Sequence, residues 1–153
     1  MVFYQMINEC CCLCLSFADK KMSGEKDLAV LLQKMEPVLN AGEYVFCTVE
    51  ALGEIPDIEK VLFFFREHEA VTIVLEKAIA DEWNMAYTYV SSWITLTIHS
   101  SLEAVGLTAA FANALKNENI SCNVVAAYFH DHIFIAKEDA DKAMKTLSAL
   151  KTK

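Results

Sequence analysis

Residues 93–134, WITLTIHSSLEAVGLTAAFANALKNENISCNVVAAYFHDHIF, constrain the fold more than any other stretch of the chain. They read as strand, tight turn, helix, strand, hairpin and strand. Residues 90–98 are mostly apolar and contain neither Pro nor Gly. That pattern predicts a strand buried on both faces and central in its sheet. Ser100, Ser101, Leu102 and Glu103 fit a capping box, with Ser100 accepting from the first helical turn and Glu103 reaching back. Leu107, Phe111, Ala114 and Leu115 then form the helix's core stripe, and residues 116–119 end it in polar side chains. Gly106 falls within the expected first turns, where glycine costs roughly 1 kcal/mol relative to Ala, so its presence points to a steric demand. Residues 120–129 and 133–136 form a hairpin around His130, Asp131 and His132, and Ala140, Ala143, Met144 and Leu147 give a last helix its apolar face.

A turn that opens onto a helix N-terminus presents free backbone N–H groups, which suit a carboxylate-bearing small molecule. No catalytic pair accompanies it. The stretch reads as a place to hold a ligand, not to transform one.

The first half follows a related rhythm. Leu28, Leu31, Leu32 and Met35 predict a short amphipathic helix after Asp27, closed by Pro37 and a turn at Asn40-Ala41-Gly42. Strands are expected at 44–49, 61–65 and 71–75, a helix at 76–83, and a boundary at 84–88. Phe65-Arg66-Glu67-His68 and Phe129-His130-Asp131-His132 each precede an apolar strand and an alanine-bearing helix, and YVFCTV matches WITLTI in character. Two related α+β lobes are the economical reading.

A chain of 153 residues with 55% hydrophobic and 22% charged residues is globular, and long enough for one domain or two small lobes. Its net charge of -8 leaves no basic patch for a nucleic-acid backbone and disfavours anionic lipid. RNA binding through a sheet fails also for want of interleaved basic and aromatic strand residues. Cys10, Cys11, Cys12 and Cys14 crowd together, while Cys47 and Cys122 lie in apolar runs, so the six cysteines do not form a disulfide framework. A reducing compartment, the cytoplasm, is expected. The apolar run at 10–18 is shorter than the ~20 residues of a membrane span and lacks the basic flank of a signal peptide. CCC-x-C also lacks the spaced pairs of a zinc site, so residues 1–21 are expected to be a non-structural extension.

The run HSSLEAVGLTAAFANALKNENISCNVV resembles the signature of ACT domains, small ligand-binding modules of amino-acid metabolism. Gly106-Leu107, Leu115 and Ile120-Ser121-Cys122-Asn123 occupy the characteristic places. From about Met22 the chain is similar to small stand-alone proteins of two such lobes, and to the paired lobes of aspartate kinases and cytosolic amino-acid sensors. The resemblance implies tandem ferredoxin-like lobes: antiparallel sheet or sheets with helices packed on one side. The first lobe would span 22–87 and the second 88–153. The βαββαβ order of the family is incomplete in the first lobe, where only Asp57 to Lys60 stands in place of a helix.

The implied function is regulatory binding of an amino acid, without catalysis, cofactor or metal. A dimerising adaptor that binds no ligand is the alternative, and a homodimer is expected in either case. What such a protein would regulate is not encoded. The expected ligand residues are Ser100, Ser101, Leu102, Glu103, Val105, Gly106, Leu107, Asn123 and Asp131. Backbone N–H groups and Asn123 would bind the carboxylate, Asp131 or Glu103 would balance an ammonium, and Gly106 would let the ligand approach the backbone. His130, Asp131 and His132 offer metal-ligand chemistry, with His99 or Glu103 as a third donor, but a polar turn at a hairpin tip explains them more simply.

Overall fold

The computed structural model describes residues 24–152. Helix α1 (Leu28–Lys34) is capped by Asp27, whose side chain accepts from Ala29 and Val30. Strands β1 (Pro37–Leu39), β2 (Tyr44–Val49), β3 (Val61–Arg66) and β4 (Val71–Glu76) follow, with two 3₁₀ turns, Leu52–Glu54 and Ile58–Lys60, before β3. Helix α2 (Lys77–Glu82) closes the first lobe. The second comprises β5 (Val90–Leu96), α3 (Leu107–Asn117), β6 (Cys122–Ala126), β7 (Asp131–Ala136) and α4 (Ala140–Ser148), framed by short 3₁₀ turns.

All seven strands join in one antiparallel sheet of order β3-β4-β2-β5-β7-β6, with β1 also on β5. As residues 90–98 predicted, β5 is central. One of its edges pairs with β7 along Ser91–Leu96. The other is shared: Val90 and Ser91 face β2, and Ile94 to Leu96 face β1. Asn40, in the turn between β1 and β2, stitches that shared edge. Its backbone N–H donates to Trp93 O at 2.9 Å and its side chain to Thr95 Oγ1 at 2.9 Å. β1 was not foreseen; three residues beginning at a proline carry no periodicity, and only pairing with β5 makes them a strand.

Burial divides along the pleat. Leu31, Met35, Ile94, Leu96, Leu107, Phe111, Leu115, Ile133, Ile135 and Leu147 form one core under α1, α3 and α4. Thus α1, which opens the first-lobe segment in sequence, packs in the second. Val45, Cys47, Ile55, Ile73, Leu75 and Ala80 form a smaller core in the first lobe. The opposite sheet face carries Tyr44, Phe46, Phe63, Trp93 and Phe134 in edge-to-face and stacked contacts. No helix covers it.

Two local expectations are corrected. The capping box does not form: α3 begins at Leu107, and its N-cap is Gly106 at φ 100. Ser101 Oγ instead accepts from Glu103 N at 3.2 Å, making a local turn, while Glu103 pairs with Lys26. Asp131 and His132 lie inside β7, not in a polar turn, because their register against Leu96 and Thr95 extends the ladder to them. The cysteine cluster and the extension lie outside the described residues.

Asn40→Ala removes the side-chain donor at the shared edge of β5. It is expected to lower unfolding free energy by about 0.5–1.5 kcal/mol, read from urea titration, because it removes the part-buried hydrogen bonds that the amide donates to Trp93 O and Thr95 Oγ1.

Candidate functional site

The candidate site lies on the helix side of the second lobe, where the chain leaves β5 and has not yet entered α3. Strand geometry ends at Leu96, and Thr97 to Gly106 wander over the surface before φ 100 at Gly106 turns the chain into the helix. This loop is held from outside. Glu25 N donates to His99 O at 3.0 Å, and Ser101 N donates to Glu25 O at 2.9 Å. A Cβ at Gly24 would lie 2.4 Å from the backbone of Ser100 and Ser101, so only glycine lets the strap approach.

The loop lines two hollows. An open cleft of about 270 Å³ is bounded by Gly24, Lys26, His99, Ser100–Glu103 and Tyr128. A tighter one of about 90 Å³ is lined by Ser100, Ser101, Leu102, Leu107, Thr108 and Asp131, among others. Asp131 is the chemically distinctive member. It is 5% exposed. Burial pushes its carboxyl above the usual range, a bond from Ser100 and the nearby His130 acting in the other direction. Among the described residues no Lys or Arg pairs with it. Nδ1 of His130 is itself buried without a hydrogen-bond partner.

Of the residues expected from sequence, Ser100, Ser101, Leu102, Leu107 and Asp131 meet around the tight hollow, and Glu103 stands on the cleft rim. There Lys26 holds the Glu103 carboxyl below its ordinary range. Val105 points to solvent at 82% exposure. Asn123 is not brought to the loop. It lies opposite Phe134, on the open sheet face, and its side chain donates to Phe134 O at 3.4 Å. Gly106 is explained from within: its backbone is left-handed, and a Cβ would meet Leu28 at 3.1 Å. Its steric partner is α1.

Gly24, Lys26, Thr108 and Tyr128 were missed; the sequence offers His99 only as a third metal donor. Only Gly24 carried a sequence signal, a lone glycine before a helix; the others arrive by tertiary contact. His99 packs its ring 5.4 Å from Phe129. His132 faces the other side of the sheet, where its Nδ1 accepts from Trp93 Nε1 at 3.0 Å. Among the described residues no three His, Cys, Asp or Glu side chains gather as a metal site, and no helix is long and apolar enough to cross a membrane.

Two ACT-domain family models match in tandem, over residues 23–92 and 88–149. The chain belongs to the ACT-domain family. Its lobes are ferredoxin-like, with helices on one sheet face. It is similar to a Vibrio cholerae protein of unknown function described as a possible transport protein, at 49% identity and TM-score 0.74, covering 82% of this chain and 97% of that one. An Agrobacterium tumefaciens protein aligns at 17% identity and TM-score 0.60, covering 77% and 90%. The regulatory subunit of Thermus thermophilus aspartate kinase, in its ligand-free form, aligns at 7% identity and TM-score 0.54, covering 77% and 98%. These last two likenesses are of fold. No curated protein matches the chain.

The pH behaviour of Asp131 follows from its burial. Because its folded-state pKa lies above the unfolded value, ionisation costs native stability, and the cost grows as pH rises through the ordinary carboxylate range. Asp131→Asn is therefore expected to raise the melting temperature at pH 7.5, with the gain shrinking at pH 4. Equal shifts at both pH values would remove the electrostatic explanation.

Proposed function

We propose that this ACT-domain protein binds an amino acid as a regulatory module and has no catalytic activity of its own. The observation that carries the reading is Asp131, a buried carboxylate with no Lys or Arg partner among the described residues, facing the same hollow as the first turn of α3. A helix's first N–H groups have no intrahelical acceptor, and α3's ladder begins with Ala110 donating to Gly106 O. The backbone N–H groups of Leu107 and Thr108 bind the ligand carboxylate, favoured by the helix dipole by up to about 1 kcal/mol. Asp131 takes the ammonium, and Ser100 orients it. The ligand side chain extends past Leu102 into the wider cleft, whose rim is the Lys26–Glu103 pair.

Buried thiol Cys47 fits a cytoplasmic, reducing setting. The open aromatic face, with Phe65 at 65% exposure, suits a homodimer in which two sheets meet. Phe65→Glu is expected to convert a sedimenting dimer to monomer; a wild-type chain that stays monomeric throughout the micromolar range removes the dimer.

An adaptor that dimerises and binds no ligand is the second reading. It is favoured by Gly106, whose place is accounted for by Leu28 and needs no ligand. Melting temperatures measured with each proteinogenic amino acid separate the two, since a ligand of the native state raises the midpoint. At least one amino acid is expected to stabilise the wild type, with affinity reduced tenfold or more, about 1.4 kcal/mol, in Asp131→Asn. No shift with any amino acid supports the adaptor; an undiminished shift in Asp131→Asn places the ligand elsewhere.

A further inference from the structure

The two lobes correspond pair by pair across their outer strands. In the second, Cys122 lies opposite Ile135 and Val124 opposite Ile133. In the first, Val61 lies opposite Leu75 and Phe64 opposite Ile73. Over β6, α3 supplies the cover: Cys122 and Val124 pack against the cluster that holds Phe111 and Leu115. In the place of α3, the described residues of the first lobe have two 3₁₀ turns. Phe64 shares the face of fully buried Ile73, yet is 44% exposed, and Leu62 and Ile58 are 38% and 50% exposed. A surface that the sister lobe covers with an amphipathic helix is shaped to accept one. Large apolar side chains grouped in the open mark interaction sites.

Charge selects the occupant. Between positions 50 and 60 the rim carries Glu50, Glu54, Asp57 and Glu59, all exposed, against Lys60 alone. Lys60 is already paired with Glu82 at 3.8 Å. Among the described helices, α1, α3 and α4 bury their apolar sides in the second-lobe core and α2 in the first, so none of these is free in a second copy to cover this face. We propose that the helix side of β3 is a docking face for a basic amphipathic helix of a partner protein. Its apolar stripe would cover Ile58, Leu62 and Phe64, and its Lys or Arg flank would meet the Glu50–Glu59 rim. Docking here is independent of the Asp131 hollow.

The test uses the full chain and a fluorescent 18-residue Leu/Lys peptide with apolar residues at helical spacing, beside a scrambled peptide of equal composition. Anisotropy should show saturable one-to-one binding of the amphipathic peptide and at least about tenfold weaker binding of the scrambled one. Amide NMR shifts in the wild type should centre on residues 58–64. Phe64→Ser should weaken binding by a similar factor. Ile58→Ser, outside any strand, should do the same if Phe64→Ser fails to fold by circular dichroism. Glu59→Lys should also weaken it. Absence of binding overturns the proposal. So do equal affinities for the two peptides, unchanged affinity in the variants, or shifts centred on Phe65 and Trp93 of the open face. Self-association abolished by Ile58→Ser overturns it as well, since a second copy would then hold this face.

Discussion

The divided edge of β5 is the constraint on which the architecture depends. A seven-residue strand pairs with β7 along nearly its whole length on one side. On the other it must receive two separate partners, β2 over Val90 and Ser91 and β1 over Ile94 to Leu96. Ser91 Oγ donates to Tyr44 O at 2.8 Å, and Asn40 bonds Trp93 and Thr95. These buried or half-buried bonds satisfy polar groups that would otherwise lie open between β1 and β2. They convert two lobes into one sheet, and they carry the strand that delivers the chain to the candidate site.

That sheet is unequal in its coverage. Among the described residues three helices roof the second lobe, one of them contributed from the start of the first-lobe segment, and its interior is the larger of the two. The first lobe has α2 and two 3₁₀ turns, with Ile55 as the inward anchor of the segment between them. The imbalance places the candidate-site loop on the well-supported lobe, where α1 and α3 meet through Leu28 and Gly106. Rigid support on one lobe and uncovered apolar surface on the other is a division suited to binding a small molecule and a macromolecule at different places.

The loop itself depends on contacts far apart in sequence. Glu25 is bridged to Ser100, and Lys26 to Glu103, so a segment ahead of α1 fixes the backbone that leads into α3. Asp131 arrives from β7 through its register opposite Leu96. An exposed ion pair such as Lys26–Glu103 contributes little to stability, but it restricts the rim of the cleft.

Periodicity alone determined most of the elements. Leu28, Leu31 and Leu32 marked α1; Leu107, Phe111 and Leu115 marked α3; and YVFCTV marked β2, because helical and strand spacing are properties of adjacent residues. The family signature around Gly106-Leu107 was legible for the same local reason. What only the tertiary structure decided was where those elements went. β1 exists through β5, α1 belongs to the core of the other lobe, and Ser100 to Glu103 form a strapped loop instead of a helical turn. Asn123, a member of the signature in sequence, faces away from the loop because alternate strand residues point to opposite faces. Asp131, spelled in a run of polar residues that reads as a turn, is buried because its ladder partner is fixed by β5. Burial and register arise between segments, and a single chain read in order does not contain them.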